Sequence, residues 1–154
     1  DFHNLSRTGD SLREESGTIE AAVMGLGRTV AAVRALGKAV VIIAPPPAMD
    51  WDAGRCAERT LRGMPVLGPD ADCVTKDADY RRKRAEVLVF LRLAAARLGV
   101  SVITFDEVLR SGEGYRPVVD GKILYIANGH LSVAGSEYLA RVMQLRERIK
   151  REAR

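Results

Sequence analysis

Between Thr18 and Leu36, apolar positions recur at spacings of three and four. Ile19, Ala22, Val23, Leu26, Val30, Val33 and Leu36 fall on one face of a predicted helix. Gly25 and Gly27 weaken it, each by up to about 1 kcal/mol against alanine, and Gly37 supplies a C-terminal stop. Ala39-Val-Val-Ile-Ile-Ala44 is a continuous apolar run rich in β-branched residues, the pattern of a parallel strand buried on both faces. Pro45-Pro-Pro47 ends it, because proline cannot donate to a ladder. A second stripe, Tyr80, Val87, Leu88, Leu91, Ala95 and Leu98, predicts a helix over 79–98 with basic residues opposite and Gly99 as its stop. Val100–Phe105 reads as the next strand, 106–110 as a helical turn, Lys122–Ile126 as a third strand, and Ser132 to about Arg151 as the closing helix. Residues 1–17 are polar and carry no strand pattern. Residues 48–78 have no sustained period, and a connection that long inside a compact domain is usually functional or pinned.

Helices and strands in this alternation predict an α/β fold, a three-layer α/β/α arrangement around a parallel sheet. Right-handed crossovers would bring the turns after Ala44, Phe105 and Ile126 to one rim of that sheet, where such folds place their chemistry. A length of 154 residues suits one domain over 1–154. No run approaches 18 uninterrupted apolar residues, as a membrane-spanning helix needs. The opening Asp1-Phe-His-Asn-Leu-Ser6 has neither the basic start nor the apolar core of a signal peptide. With no initiating methionine, the chain reads as a fragment or a processed piece.

Composition is that of an ordinary globular protein, with 47% apolar and 29% charged residues. Charge changes the picture only at the end of the chain. The net charge of +4 is accounted for by residues 141–154, where basic side chains exceed acidic ones, and the rest is balanced. Basic residues at a helix C-terminus oppose its dipole, so a solvated helix end explains this tail. Basic side chains are not interleaved with aromatic ones, and nothing points to nucleic acid.

The candidate chemistry centres on Leu124-Tyr-Ile-Ala-Asn-Gly-His-Leu-Ser132. His130, one of two histidines, sits on a strand-to-helix turn, and Ser132 is a good N-cap for the helix that follows. Read from the turn alone, a surface histidine beside a cap is the plainer account. Cys56 and Cys73 belong to no Cys-x-x-Cys pair, and the histidines lack metal-ligand spacing, so neither zinc nor any other cofactor is expected. The two cysteines suit independent thiols and a disulfide equally well; paired, they would contribute about 3 kcal/mol by closing the loop between them.

Tyr125-Ile-Ala-Asn-Gly-His-Leu-Ser132, followed by Gly135, resembles the last block of the SGNH (GDSL-type) hydrolases, written Asp-x-x-His-Leu-Ser. The likeness extends through Ala35-Leu-Gly-Lys-Ala-Val-Val-Ile-Ile-Ala-Pro-Pro-Pro47, Cys56-Ala-Glu-Arg59, Asp72-Cys73 and Gly121-Lys-Ile-Leu-Tyr125. Over about residues 18–140 the chain is similar to the SGNH domain at the C-terminus of acyltransferase-3 membrane proteins, bacterial O-acetyltransferases of lipopolysaccharide and other envelope glycans. The resemblance implies a periplasmic or other extracytoplasmic domain, a Cys56–Cys73 disulfide, and a membrane acyltransferase partner in the parent protein. It also implies an acyl donor and a glycan acceptor. His130 takes the place of the family's general base, and Ala127 stands where its orienting aspartate belongs. The family's nucleophile follows a buried strand. Gly9-Asp-Ser-Leu12 spells the motif without that strand, which makes Ser11 a lesser candidate and places the expected nucleophile block, with the first strand or strands, upstream of Asp1.

A serine hydroxyl attacks only when a base within reach accepts its proton, and the base needs a partner that fixes its tautomer. Disabling that partner in a serine protease lowers turnover by about ten-thousand-fold. Ala127 cannot serve. Asp120 is a conceivable replacement, but the intervening strand would span about 20 Å if extended; Asn128 could orient a ring through its amide oxygen. The expectation is an SGNH-type O-acyltransferase or acetylesterase domain that is impaired as this chain stands. The alternative is a non-catalytic relative that binds glycan or a partner.

Overall fold

A computed structural model of the chain describes residues 3–8, 11–68 and 71–153, with backbone alone up to residue 16. Strand β1 (His3–Thr8) pairs antiparallel with β2 (Ser11–Ser16), Thr8 opposite Ser11. The polar opening therefore forms a hairpin that periodicity does not announce, since ladder hydrogen bonds join main chain to main chain whatever the side chains are. There follow α1 (Ile19–Ala35), β3 (Val41–Ile43), α2 (Ala53–Leu61), β4 (Thr75–Lys76), α3 (Asp77–Lys83), α4 (Ala85–Leu98), β5 (Ser101–Ile103) and α5 (Asp106–Leu109). The chain continues through β6 (Arg110–Ser111), β7 (Gly114–Tyr115), β8 (Val118–Val119), β9 (Lys122–Ile123), α6 (Val133–Val142) and α7 (Leu145–Glu152).

The structure is α/β. Strands β3 and β5 are neighbours in a small parallel sheet, which continues one step further where the Ala44 amide donates to the Ile103 carbonyl at 2.8 Å. Contacts divide the chain into two compact units, one holding the described residues up to Ile42 with Arg84–Val102, the other Ile43–Lys83 with Ile103–Glu152.

In the first unit, the Thr18 hydroxyl caps α1 by accepting from the Ala21 amide at 3.1 Å, and α1 packs along α4. Gly27 costs helix propensity but allows this approach: a Cβ there would lie 3.1 Å from the end of Leu98. The guanidinium of Arg34 then donates to the carbonyls of Leu98 and Gly99, at 2.9 and 2.8 Å, satisfying acceptors that the end of α4 leaves unpaired. Gly99 turns the chain out of α4 with φ of 60°.

In the second unit, three short strands form an antiparallel sheet in the order β4-β7-β6, and β8 and β9 form a separate hairpin. The expected third parallel strand is thus a correction. Of Lys122–Ile126 only Lys122 and Ile123 are strand, and they pair backwards onto Val118–Val119. The reason is the two-residue turn Asp120-Gly121, both at positive φ (50° and 69°), which reverses the chain. Three other boundaries differ. The segment 48–78 contains the nine-residue helix α2; the predicted helix over 79–98 is two helices, α3 and α4; and the closing helix breaks where Gln144 takes φ of 47°. Leu109, Tyr115, Leu124, Tyr125 and Leu139 are among the fully buried side chains. None of the described helices is long and apolar enough to cross a membrane.

Candidate active site

His130 is carried by a tight hairpin. Tyr125 and Leu131 form an antiparallel bridge, and the Ile126 amide donates to the His130 carbonyl at 3.0 Å. Ala127, Asn128 and Gly129 make the tip. The His130 side chain is exposed and makes no hydrogen bond among the described residues.

The hairpin is clamped at its base. The Ser132 amide donates to the Leu124 carbonyl at 2.8 Å, and its hydroxyl donates to the Ile123 carbonyl at 2.9 Å. The same hydroxyl accepts from the Gly135 amide at 2.8 Å, capping α6. A Cβ at Gly135 would overlap the Leu124 main chain, so glycine is required where the first turn of α6 lies against the hairpin. Two further contacts hold the outer arm. The Met49 amide donates to the Asn128 carbonyl at 2.5 Å, and Gly54 in α2 packs so closely that a Cβ there would sit 2.9 Å from the Ile126 carbonyl oxygen. Below, Tyr125 is fully buried and its hydroxyl donates to the Pro47 carbonyl at 3.0 Å. Burial holds this phenol far above its ordinary pKa, so at neutral pH it stays a neutral donor.

His130 and Ala127 thus share one turn. Ala127 is half-buried and offers only a methyl group. Asp120 is engaged elsewhere: it sits on the β8–β9 turn and accepts from the Tyr138 hydroxyl at 2.7 Å, a bond that raises the pKa of that phenol. Asn128 is exposed, and its hydrogen bond to Met49 uses the main-chain carbonyl. Of the Gly9-Asp-Ser-Leu12 stretch, Gly9 and Asp10 lie outside the described residues; Ser11 opens β2, in the other compact unit, with only its backbone described.

A second polar cluster has no signature in the sequence. The hydroxyl of buried Tyr115 reaches Asp106 at 2.8 Å and Asp77 at 3.1 Å, and Arg81 binds Asp77 at 2.7 Å. Burial first, and the two carboxylates after it, push Tyr115 well above the usual phenol range, while the hydrogen bond from Arg81 holds Asp77 below the usual carboxylate range. These residues come from α3, α5 and β7, so only folding assembles them.

Cys56 and Cys73 form a disulfide, with Cα atoms 5.9 Å apart. It ties α2 to the far end of the following loop. Arg59, three residues after Cys56, donates through Nε and Nη2 to the Pro65 carbonyl at 3.0 and 2.6 Å and pins the middle of that loop. Between helix and loop lies a cavity of about 370 Å³ lined by Trp51, Asp52, Arg55, Cys56, Arg59, Val66 and Leu67. The sequence pattern singles out Cys56 and Arg59 but gives no grounds to join them to Trp51, Arg55, Val66 and Leu67. The missed signal was Asp52, whose carboxylate caps α2 by accepting from the Arg55 amide at 2.9 Å.

No curated protein and no solved structure gives a significant match to the chain. A family model does, described as the SGNH domain (fused to AT3 domains), and it matches residues 2–144. That span contains the His130 hairpin, its Ser132 and Gly135 clamp and the disulfide-closed loop, and the chain belongs to this family of SGNH domains fused to AT3 acyltransferase domains.

Proposed function

We propose that this chain is part of an SGNH-type O-acyltransferase or acetylesterase domain that handles acyl groups on the hydroxyls of envelope glycans, outside the cytoplasmic membrane. The observation that carries the reading is the His130 hairpin, within a chain that matches the SGNH family over residues 2–144. His130 is held by its main chain while its ring stays exposed, as a general base that must meet a substrate requires. The base would take the proton of an attacking serine hydroxyl, and the ester oxygen would leave with a proton returned from the imidazolium. Ser11 is the candidate nucleophile within the chain.

Ala127 and Asp120 favour a second reading, a non-catalytic relative that binds glycan or a partner. The first cannot orient the imidazole, and the second is already bonded to Tyr138. The two readings separate on one experiment. The chain, Ala127→Asp and Ala127→Asp/Ser11→Ala are incubated with an activated acetyl ester and weighed by intact-mass spectrometry. An acetyl adduct that grows with the aspartate supports the catalytic reading, and its loss with Ser11→Ala assigns the nucleophile. Adduct-free protein in all three is the result expected of a domain whose nucleophile is not in this chain, and glycan binding without turnover supports the binding domain.

A further inference from the structure

The cavity beside α2 has the chemistry of a carbohydrate site that selects negative charge. Its size falls in the range of small-molecule pockets, about 300–1,000 Å³, and its walls divide by character. Trp51 offers a half-buried indole, and Val66 and Leu67 add apolar surface, Leu67 being 88% exposed. The C–H face of a sugar ring packs on such a wall. The opposite wall is polar. Asp52 caps α2 with one carboxylate oxygen, leaving the other to accept from a sugar hydroxyl.

The charges indicate what else the ligand carries. Arg55 and Arg59 are four residues apart on α2, so two like charges are neighbours on one face, an arrangement that costs stability. Arg59 is fixed through Nε and Nη2, and Nη1 has no hydrogen bond among the described residues. Arg55 has no carboxylate partner among the described residues, whereas Arg62, the C-cap of the same helix, is paired with Glu58 at 2.8 Å. A helix that neutralises one arginine internally and presents two others at a cavity is suited to an anion, and guanidinium groups bind carboxylates and phosphates in the same forked way. The cavity also adjoins the candidate chemistry: Gly54, next to Arg55, is the residue packed on the Ile126 carbonyl of the His130 hairpin.

We infer that this cavity is the acceptor subsite of the domain and takes a sugar bearing an anionic group, with Trp51 under the ring and Arg55 and Arg59 on the anion. The role as acceptor subsite rests on the function proposed above; the binding does not. Trp51 is the single tryptophan of the chain, so its emission reports occupancy directly. The chain would be titrated with a galacturonate trisaccharide, galactose 6-phosphate and neutral galactotriose. Saturable change is expected with at least one of the two anionic sugars, and the comparison between them tells carboxylate from phosphate. The neutral sugar should bind at least tenfold more weakly. Arg55→Ala should weaken the anionic sugar about tenfold, and Arg55→Lys should recover part of the loss. Equal binding of neutral and anionic sugars, no saturable change with any of them, or an Arg55→Ala variant that binds normally would overturn the assignment. Anionic binding without acetyl transfer in Ala127→Asp would sink the catalytic reading and leave the site standing. Acetyl transfer to neutral glycans alone would do the reverse.

Discussion

The amide of Ile126 and the carbonyl of His130 meet at 3.0 Å, closing a turn in which Ala127 and His130 are held close in the chain by a main-chain bond. Nothing in that bond depends on the side chain at 127. Ala127→Asp should therefore fold normally, with stability within about 1 kcal/mol of the original. If His130 is a base waiting for its orienting acid, hydrolysis of p-nitrophenyl acetate should rise in Ala127→Asp, with a ceiling near ten-thousand-fold. The gain should disappear in Ala127→Asp/His130→Ala. A rate increase that survives loss of the histidine would mean that the aspartate acts on its own.

Ser132 and Gly135 should matter to stability far more than their size suggests. Ser132→Ala removes an N-cap and the bond to the Ile123 carbonyl, and should cost about 1–2 kcal/mol in urea unfolding. Gly135→Ala sets a methyl group into the Leu124 main chain, which can yield only by moving α6, and should cost about 1–3 kcal/mol. A Gly135→Ala midpoint equal to that of the original would show that α6 is not packed against the hairpin as described.

Alkali should unfold this protein through its buried phenols. Burial raises both Tyr115 and Tyr125 above the pKa near 10 that they have in an unfolded chain. The sign follows from linkage. Their contribution is fully present below pH about 10 and is lost as pH rises toward their folded-state values, because the unfolded chain gives up those protons first. Tyrosinate absorbance at 295 nm should therefore show a late component that coincides with loss of helical circular dichroism. In Tyr125→Phe that component should shrink. A full tyrosinate signal in still-folded protein would contradict the burial of these side chains.

The disulfide should control the cavity wall as well as global stability. Val66 and Leu67 lie in the segment that Cys56 and Cys73 close, with Arg59 as the other tether. Replacing both cysteines by serine should lower unfolding free energy by about 3 kcal/mol. It should also change Trp51 emission under conditions where the protein is still folded. Unaltered emission would mean that the arginine alone holds the loop.

The sequence was most legible where large apolar side chains mark a face or a small residue marks an end. Helix α1, the Ser132 cap and the Gly99 stop could all be read directly, and the β-branched runs located β3 and β5. Helix α2 escaped because its buried face consists of Ala53, Cys56 and Ala57, side chains too small to register as an apolar stripe among Arg55, Glu58 and Arg59. The third strand was misread for the opposite reason. An apolar run drew attention to Lys122–Ile126, while Asp120 was placed at the start of that strand although the Asp120-Gly121 pair is a strong hairpin signal. The Asp77–Tyr115–Asp106 cluster joins residues up to 38 positions apart, and no local pattern could have foretold it.

The way the hairpin is mounted has a consequence for how such a domain changes over time. Its clamps come from Ser132, Gly135, Met49 and Gly54 and from main-chain atoms, whereas residues 127 and 130 contribute no side-chain bond to the scaffold. Foldedness and reactivity are thereby inherited separately. A carboxylate can be gained or lost at 127 by a single substitution without passing through an unfolded ancestor.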